Sequence, residues 1–281
     1  MRSAVLGSSG MGAKPTEGKP QPHGAAGGWE EKLAAFLSGF EHIDDVVGVL
    51  ACGSYVTGSP TAHSDLDVHI VLDDRAAYRE RGNKIVGGLL IEYFANPPRQ
   101  ILRYFEDDFR NRNPCSQTQF ATGRILMDKT GDVAALKEKA LAMLDTLRES
   151  EKAKPAMSEL AKYGLWDMLD DLQDAHERDR PDFDFLYFNF LDRMVASYMR
   201  SLNRPYNAKT MLGNITDSAV KEKYLLRELP DAEIGSLIAQ SITAASRAEK
   251  LDAYEKLTSA ILESAGGFRI DGFKFKSDLD A

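Results

Sequence analysis

The residues best suited to chemistry in this chain are Gly53 and Ser54, followed after ten intervening residues by Asp65-Leu66-Asp67-Val68. A small-residue turn lets backbone amides and a hydroxyl approach phosphate oxygens closely. Strand geometry puts Asp65 and Asp67 on one face, roughly 6–7 Å apart along the strand. Two carboxylates that close repel each other and favour protonation unless a cation intervenes. Mg²⁺ resolves the conflict, because it accepts carboxylates together with substrate phosphate oxygens. Glu92, inside Leu89-Leu90-Ile91-Glu92-Tyr93-Phe94, is a charge in an apolar run. Its burial would be costly without a partner, and a strand facing the same metal would supply one. An isolated Asp-x-Asp is most often a solvated strand face. The signal is the combination of strand, Gly-Ser, spacer, paired carboxylates and a further carboxylate on a third strand.

These residues need elements to hold them. Trp29, Leu33, Phe36, Leu37 and Phe40 recur at helical spacing. The apolar run from Val46 to Cys52 reads as a strand ending at the turn. From Asp65 to Leu72 the alternation puts Leu66, Val68, Ile70 and Leu72 on one face and Asp65, Asp67, His69 and Val71 on the other. A third strand is expected from Lys84 to Phe94, a helix from Pro97-Pro98 to about Phe109, and another strand from Thr122 to Met127. Beyond Asp132 the periodicity is helical only, with stripes over 133–147, 160–172, 183–202 and 234–261. Pro155, Pro181 and Pro205 punctuate them, since a residue before proline resists helical geometry. Phe268 to Phe275, around Asp271-Gly272, reads as a small hairpin.

The chain has 281 residues, 43% hydrophobic and 28% charged, with a net charge of -8. That length allows one large or two medium domains. The expected division is a flexible tail over 1–28, an α/β (α+β) domain with a mixed sheet and flanking helices over 29–131, and an all-helical domain over 132–281. No basic stripe of the kind that tracks a nucleic-acid backbone is visible. No apolar run reaches about 18 residues, so no membrane span is expected, and the N-terminus lacks the apolar segment of a signal peptide. Cys52 and Cys115 lack metal-type spacing and read as reduced structural thiols of a cytoplasmic protein. Oligomeric state is not legible.

From Leu50-Ala51-Cys52-Gly53-Ser54 through Asp65-Leu66-Asp67-Val68, the chain resembles the DNA polymerase β-like nucleotidyltransferase superfamily. With a helical region following, it is most similar to the antibiotic (aminoglycoside) nucleotidyltransferases. The resemblance implies an adenylyltransferase-like reaction, moving AMP from ATP to a hydroxyl of a small polar acceptor and releasing pyrophosphate. Asp65, Asp67 and Glu92 would hold Mg²⁺, two ions in a two-metal displacement, and Glu92 would take the acceptor's proton. Gly53 and Ser54 would contact the terminal phosphates. The stretch from Arg193 to Lys209 looks like the region that offers an arginine and a lysine to the triphosphate.

On the helical stretch that carries the stripe at 160–172, Asp167, Asp170, Asp171 and Asp174 are spaced to share one face. They form either a solvated surface or an electronegative wall for a polycationic acceptor, with Trp166 placed to pack on a sugar ring. The runner-up readings keep the same fold. One is transfer to a protein or RNA acceptor; the other is a nucleotide-binding or antitoxin-type regulatory module. The missing basic stripe disfavours RNA, and no arginine precedes His176 with four to six residues between them, as RNA cleavage by such a module would want.

Overall fold

The computed structural model describes residues 28–277; apart from Gly28, the expected tail lies outside the described residues. Helix α1 (Trp29–Ser38) precedes β1 (Val46–Cys52) and β2 (Leu66–Leu72). Next come β3 (Glu80–Val86), β4 (Leu89–Asn96), α2 (Pro98–Arg110), α3 (Cys115–Thr122), β5 (Arg124–Asp128) and α4 (Asp132–Glu149). Six further helices follow: α5 (Glu159–Glu177), α6 (Phe183–Ser201), α7 (Met211–Thr216), α8 (Ser218–Tyr224), α9 (Ala232–Thr243) and α10 (Arg247–Ser264). The fold is a mixed α/β sheet with flanking helices and a helical C-terminal region.

The five strands lie in the order β3-β4-β2-β1-β5. Only β2 and β4 pair in parallel; the other neighbours are antiparallel. The alternation read from β2 is realised in the two faces. Leu66, Val68, Ile70 and Leu72 pack with Trp29, Leu33, Phe36 and Phe40 of the α1 region. Val71, with Leu50 and Cys52, packs on the opposite face against Ile101, Phe105 and Phe120 of α2 and α3 and Val133, Leu136 and Ala140 of α4. A sheet covered on both sides explains the near-continuous apolar run of β1, all seven residues of which are buried. The third core is wholly helical and joins α5, α6, α9 and α10 through Leu172, Phe183, Tyr187, Met194, Ile238 and Leu257.

Several expected elements are corrected. The strand expected from Lys84 to Phe94 is a hairpin: Gly87 and Gly88, at φ 53° and 81°, turn the chain between β3 and β4. A two-residue turn of this kind needs positive φ at both positions, which glycine supplies without cost. The strand expected from Thr122 begins at Arg124, and the residues before it form α3, whose polar sequence Cys-Ser-Gln-Thr-Gln-Phe-Ala-Thr carries no apolar stripe. The stripe over 234–261 is two helices, because Ser246 and Glu249 form a capping box that starts α10 afresh. Residues 268–275 contain no strand; Phe273 stacks on Tyr163 of α5 with ring centroids 4.9 Å apart. No helix among the described residues is long and apolar enough to cross a membrane.

Polar contacts tie the segment after α2 to the helical region. Arg112, in a left-handed turn at φ 51°, donates to the Asn203 carbonyl at 3.0 Å and to Ser150 Oγ at 3.1 Å. Arg204 Nε lies 3.2 Å from Glu151 Oε2, close enough for an ion pair although not aligned for a hydrogen bond. These contacts bring the residues after α6 over the end of the sheet where β1 runs out.

Candidate functional site

The site grows from the register of three strands. Cys52 of β1 lies opposite Asp67 of β2, and Asp67 lies opposite Glu92 of β4. Asp67, two residues before His69 on the same face, points toward α3 and not toward α1. Asp65 immediately precedes β2. Gly53 ends β1 at φ 78°, and a Cβ there would stand 2.3 Å from Asp67 Oδ2. Glycine is therefore required twice, by backbone conformation and by the carboxylate occupying the space a side chain would need. The Gly53 carbonyl accepts from the amides of Val56 and Thr57 at 3.2 and 3.1 Å, which curls the following loop back over the strand end. Ser54, buried beside it, carries its carbonyl to the Ser59 amide at 3.0 Å.

Burial, then the neighbouring charge of Asp65 and then that of Glu92, push the Asp67 carboxyl up to about 6. Lys223 of α8 opposes the shift. His69, deeper on the same face, is buried and held down to about 4, with its Nε2 3.1 Å from Gln119 Oε1. An imidazole in that state is neutral near pH 7 and acts as a wall, not a charge.

Gly53, Ser54, Asp65 and Asp67 line a cavity of about 580 Å³. Its opposite wall comes from Pro205, Tyr206 and Asn207 after α6, from Thr210 and Asn214, and from Lys223, Tyr224 and Leu226. Asn113, Cys115, Thr118 and Gln119 close the third side. Cys115 is thus exposed at the cavity, unlike the buried Cys52, and only the latter matches the expectation of a structural thiol.

Other expected site residues are not gathered there. Glu92 is in register with Asp67, but its Oε1 accepts from Arg81 Nη2 at 2.7 Å. Arg81 reaches it from the edge strand, two residues along from Asn83, the residue that pairs with Glu92. Arg193 is exposed on α6, its guanidinium 6.0 Å from the Phe190 ring centre, and does not line the cavity. Lys209 lies between two lining residues without lining the cavity itself; its amide donates to Asn207 Oδ1 at 3.0 Å. Trp166, Asp170 and Asp174 on α5 are also away from the cavity. Trp166 neighbours the Tyr163 ring at 6.2 Å, and Asp174 pairs with Arg178 at 2.8 Å. The basic residue facing the carboxylates is Lys223. Sequence reasoning missed it because α7 and α8, only six and seven residues long, present no stripe to count. The one available signal was the Lys221-Glu222-Lys223-Tyr224 cluster between two helical stripes.

Among the described residues, no group of three or more His, Cys, Asp or Glu side chains is gathered to hold a metal ion. Asp65 and Asp67 nevertheless suit Mg²⁺. They are two hard oxygen donors whose mutual repulsion a cation would relieve, and Mg²⁺ commonly takes one or two carboxylates and completes its shell with water and phosphate.

No family model matches the chain, and no curated protein matches it. Among solved structures, it is similar to a nucleotidyltransferase-like protein from Exiguobacterium sibiricum 255-15, with 14% sequence identity and a TM-score of 0.39 over 85% of this chain and 77% of that one.

Proposed function

We propose that this chain is a Mg²⁺-dependent nucleotidyltransferase that moves a nucleoside monophosphate, AMP from ATP in the simplest case, to a hydroxyl of a small polar acceptor. The observation that carries the reading is the cavity itself. Its one wall bears the Asp65–Asp67 pair beside the Gly53-Ser54 turn, and its other wall bears Lys223. Paired carboxylates, a phosphate-sized turn and a facing cation are what a metal-bound triphosphate needs.

Bound at Asp65 and Asp67, Mg²⁺ would supply neutralisation of phosphate charge and lower the energy of developing oxyanions. The chain's own residues do the rest. The Ser54 hydroxyl and the turn amides donate to phosphate oxygens. Lys223 offers positive charge to pyrophosphate as it leaves, where a preorganised donor has most effect. Glu92, in register with Asp67, is the carboxylate able to take the acceptor's proton, and Arg81 fixes its orientation. The cavity is lined mostly by neutral hydroxyl and amide side chains, which suits the ribose and phosphates of a nucleotide; the acceptor is a small hydroxyl compound, of which aminoglycosides are one class to be tested.

The test is purified protein with α-labelled ATP, Mg²⁺ and a panel of small hydroxyl compounds that includes aminoglycosides. Label transfer with pyrophosphate release, lost in Asp67→Asn and on chelation of Mg²⁺, is the expected result. Transfer that survives in Asp67→Asn removes the metal site. Label appearing on protein instead of a small molecule redirects the acceptor assignment.

A further inference from the structure

A second cavity of about 530 Å³ adjoins the first, and Cys115 and Gln119 of α3 line both. It lies over the β3–β4 edge of the same sheet face. Its walls include Arg79 and Arg81 of the β3 region, Phe94 of β4 and Tyr104 of α2. The Arg81 guanidinium stands 4.8 Å from the Phe94 ring centre and bonds Glu92, so Arg81 links this space to the carboxylate in register with Asp67, although Glu92 itself lines neither cavity.

The charged groups lining this second space are even in number, Arg79 and Arg81 against Glu80 and Asp108, but both carboxylates are engaged and most of one guanidinium is not. Asp108 is satisfied locally, since its Oδ2 accepts from the Ser116 amide at 2.9 Å and the Ser116 hydroxyl at 2.5 Å. Glu80 is held by the Tyr93 hydroxyl. Arg79 gives Nη1 to the Tyr104 hydroxyl at 2.7 Å and forms no ion pair with a carboxylate among the described residues. A guanidinium has five N–H donors in a fork that matches a carboxylate or phosphate, so most of the Arg79 fork is left for a ligand. Phe94, with one face under Arg81, adds an apolar surface beside the two forks.

We propose that this second cavity is the acceptor site, and that the acceptor is a small hydroxy acid whose carboxylate or phosphate is held by Arg79 and Arg81 while its carbon skeleton packs on Phe94. The proposal rests on the nucleotidyl-transfer reading. It deepens that reading by assigning the acceptor an anionic group, opposite in sign to the polycation suggested by the α5 surface. In the reaction, the acceptor hydroxyl oxygen bonds to the α-phosphorus, and the bond from that phosphorus to the α–β bridging oxygen breaks. Pyrophosphate leaves with the electron pair, and the hydroxyl proton passes to Glu92.

The test uses a matched pair of probes, 4-(hydroxymethyl)benzoate and 4-(hydroxymethyl)benzamide, which differ only in the anionic group. Titration calorimetry without nucleotide is expected to show the acid binding about tenfold more tightly than the amide, the effect of one charge-assisted contact. That preference is expected to disappear in Arg79→Gln, whose exposed side chain leaves the fold intact. With ATP and Mg²⁺, pyrophosphate release is expected to favour the acid, and Arg79→Gln is expected to raise KM for it more than it lowers kcat. Equal binding of acid and amide, absence of binding by either, or a preference that survives in Arg79→Gln would overturn the site. Acid-selective binding without pyrophosphate release in the presence of any acceptor would overturn the reaction it rests on and leave the anion site standing.

Discussion

The two walls of the main cavity are built on different principles. Gly53, Ser54, Asp65 and Asp67 stand at the ends of β1 and β2, where hydrogen-bonded register fixes each residue opposite a named partner and Leu66 and Val68 are fully buried beneath. Pro205, Tyr206, Asn207, Lys223 and Tyr224 come from a connection and the short helix α8, held by contacts such as the Tyr206 hydroxyl to Asp192. Helices that short do not persist alone and borrow their order from packing. The difference teaches that the sheet wall holds its carboxylates in place against their own repulsion, whereas the helical wall supplies charge and shape at little cost to the fold. Substitutions on the sheet wall should therefore change stability as well as chemistry, and those on the helical wall chemistry alone.

The largest departure should come from Gly53→Ala. The left-handed backbone costs an L residue roughly 1–2 kcal/mol, and the new Cβ must displace the Asp67 carboxylate, adding about 1–3 kcal/mol of overpacking. Chemical denaturation should show a loss of about 2–5 kcal/mol by the sum of these effects. A neutral outcome would mean that the turn is not pinned by Asp67 and would remove the contrast between the walls.

Next in size is Asp67→Asn in the absence of metal, which should stabilise. The carboxyl is raised from 3.8 in the unfolded chain to about 6 in the fold. The folded state therefore holds its proton over a range where the unfolded state has lost it. Stability from this group falls as pH rises through that range and stays reduced above it. Asparagine carries no such penalty, so the variant should gain on the order of 2 kcal/mol at pH 7–8 and lose that advantage between pH 6 and 4. His69 acts with the opposite sign. Its depressed value, about 4, means stability present above 6.5 that drains as pH falls. Both proteins share that slope, so the difference between their melting curves isolates Asp67. Added Mg²⁺ should raise Tm for the parent and not for the variant.

Lys223→Gln should leave Tm within a degree or two and lower kcat/KM for triphosphate about tenfold, the worth of one charge-assisted contact. A loss of stability comparable to that from Gly53→Ala would place Lys223 in the fold's support and not in the site alone.

What was legible follows the same division. The alternation of β2 located both faces of the sheet, because side-chain direction in a strand has period two whatever the surroundings, and this alone put Asp67 on the cavity side. Gly87-Gly88 was an available hairpin signal lost inside an apolar run. Lys223 and Tyr224 were not legible, because no periodic pattern marks α8 and their approach to Asp67 depends on how Arg112 and Arg204 anchor distant segments. Arg193 enters through the resemblance, as the arginine offered to the triphosphate. On a helix, however, the neighbouring buried Met194 and Val195 turn the opposite face inward and leave Arg193 outside. Glu92 reads in the sequence as a charge whose partner is a metal shared with the neighbouring strand; the ion partner the structure gives it is Arg81, supplied by a strand the sequence reading merges into its neighbour.

The smallest effect expected is that of the double substitution Asp170→Asn with Asp174→Asn, and it sharpens the comparison from outside the cavity. Four aspartates on one helix face were the sequence's best reason to expect a cationic acceptor, and attraction of that kind acts through space as well as by contact. Neither residue lines either large cavity, and Asp174 is already neutralised by Arg178 at 2.8 Å. What remains is a solvent-exposed charge whose field is screened over about 8–10 Å at physiological ionic strength. KM for the acceptor should therefore change by no more than about twofold at such ionic strength, because screened surface charges contribute a few tenths of a kcal/mol. A tenfold rise in KM for a cationic acceptor, diminishing as salt is added, would show that α5 steers the substrate and would make the helical half, not the β3 edge, the place where acceptor identity is decided.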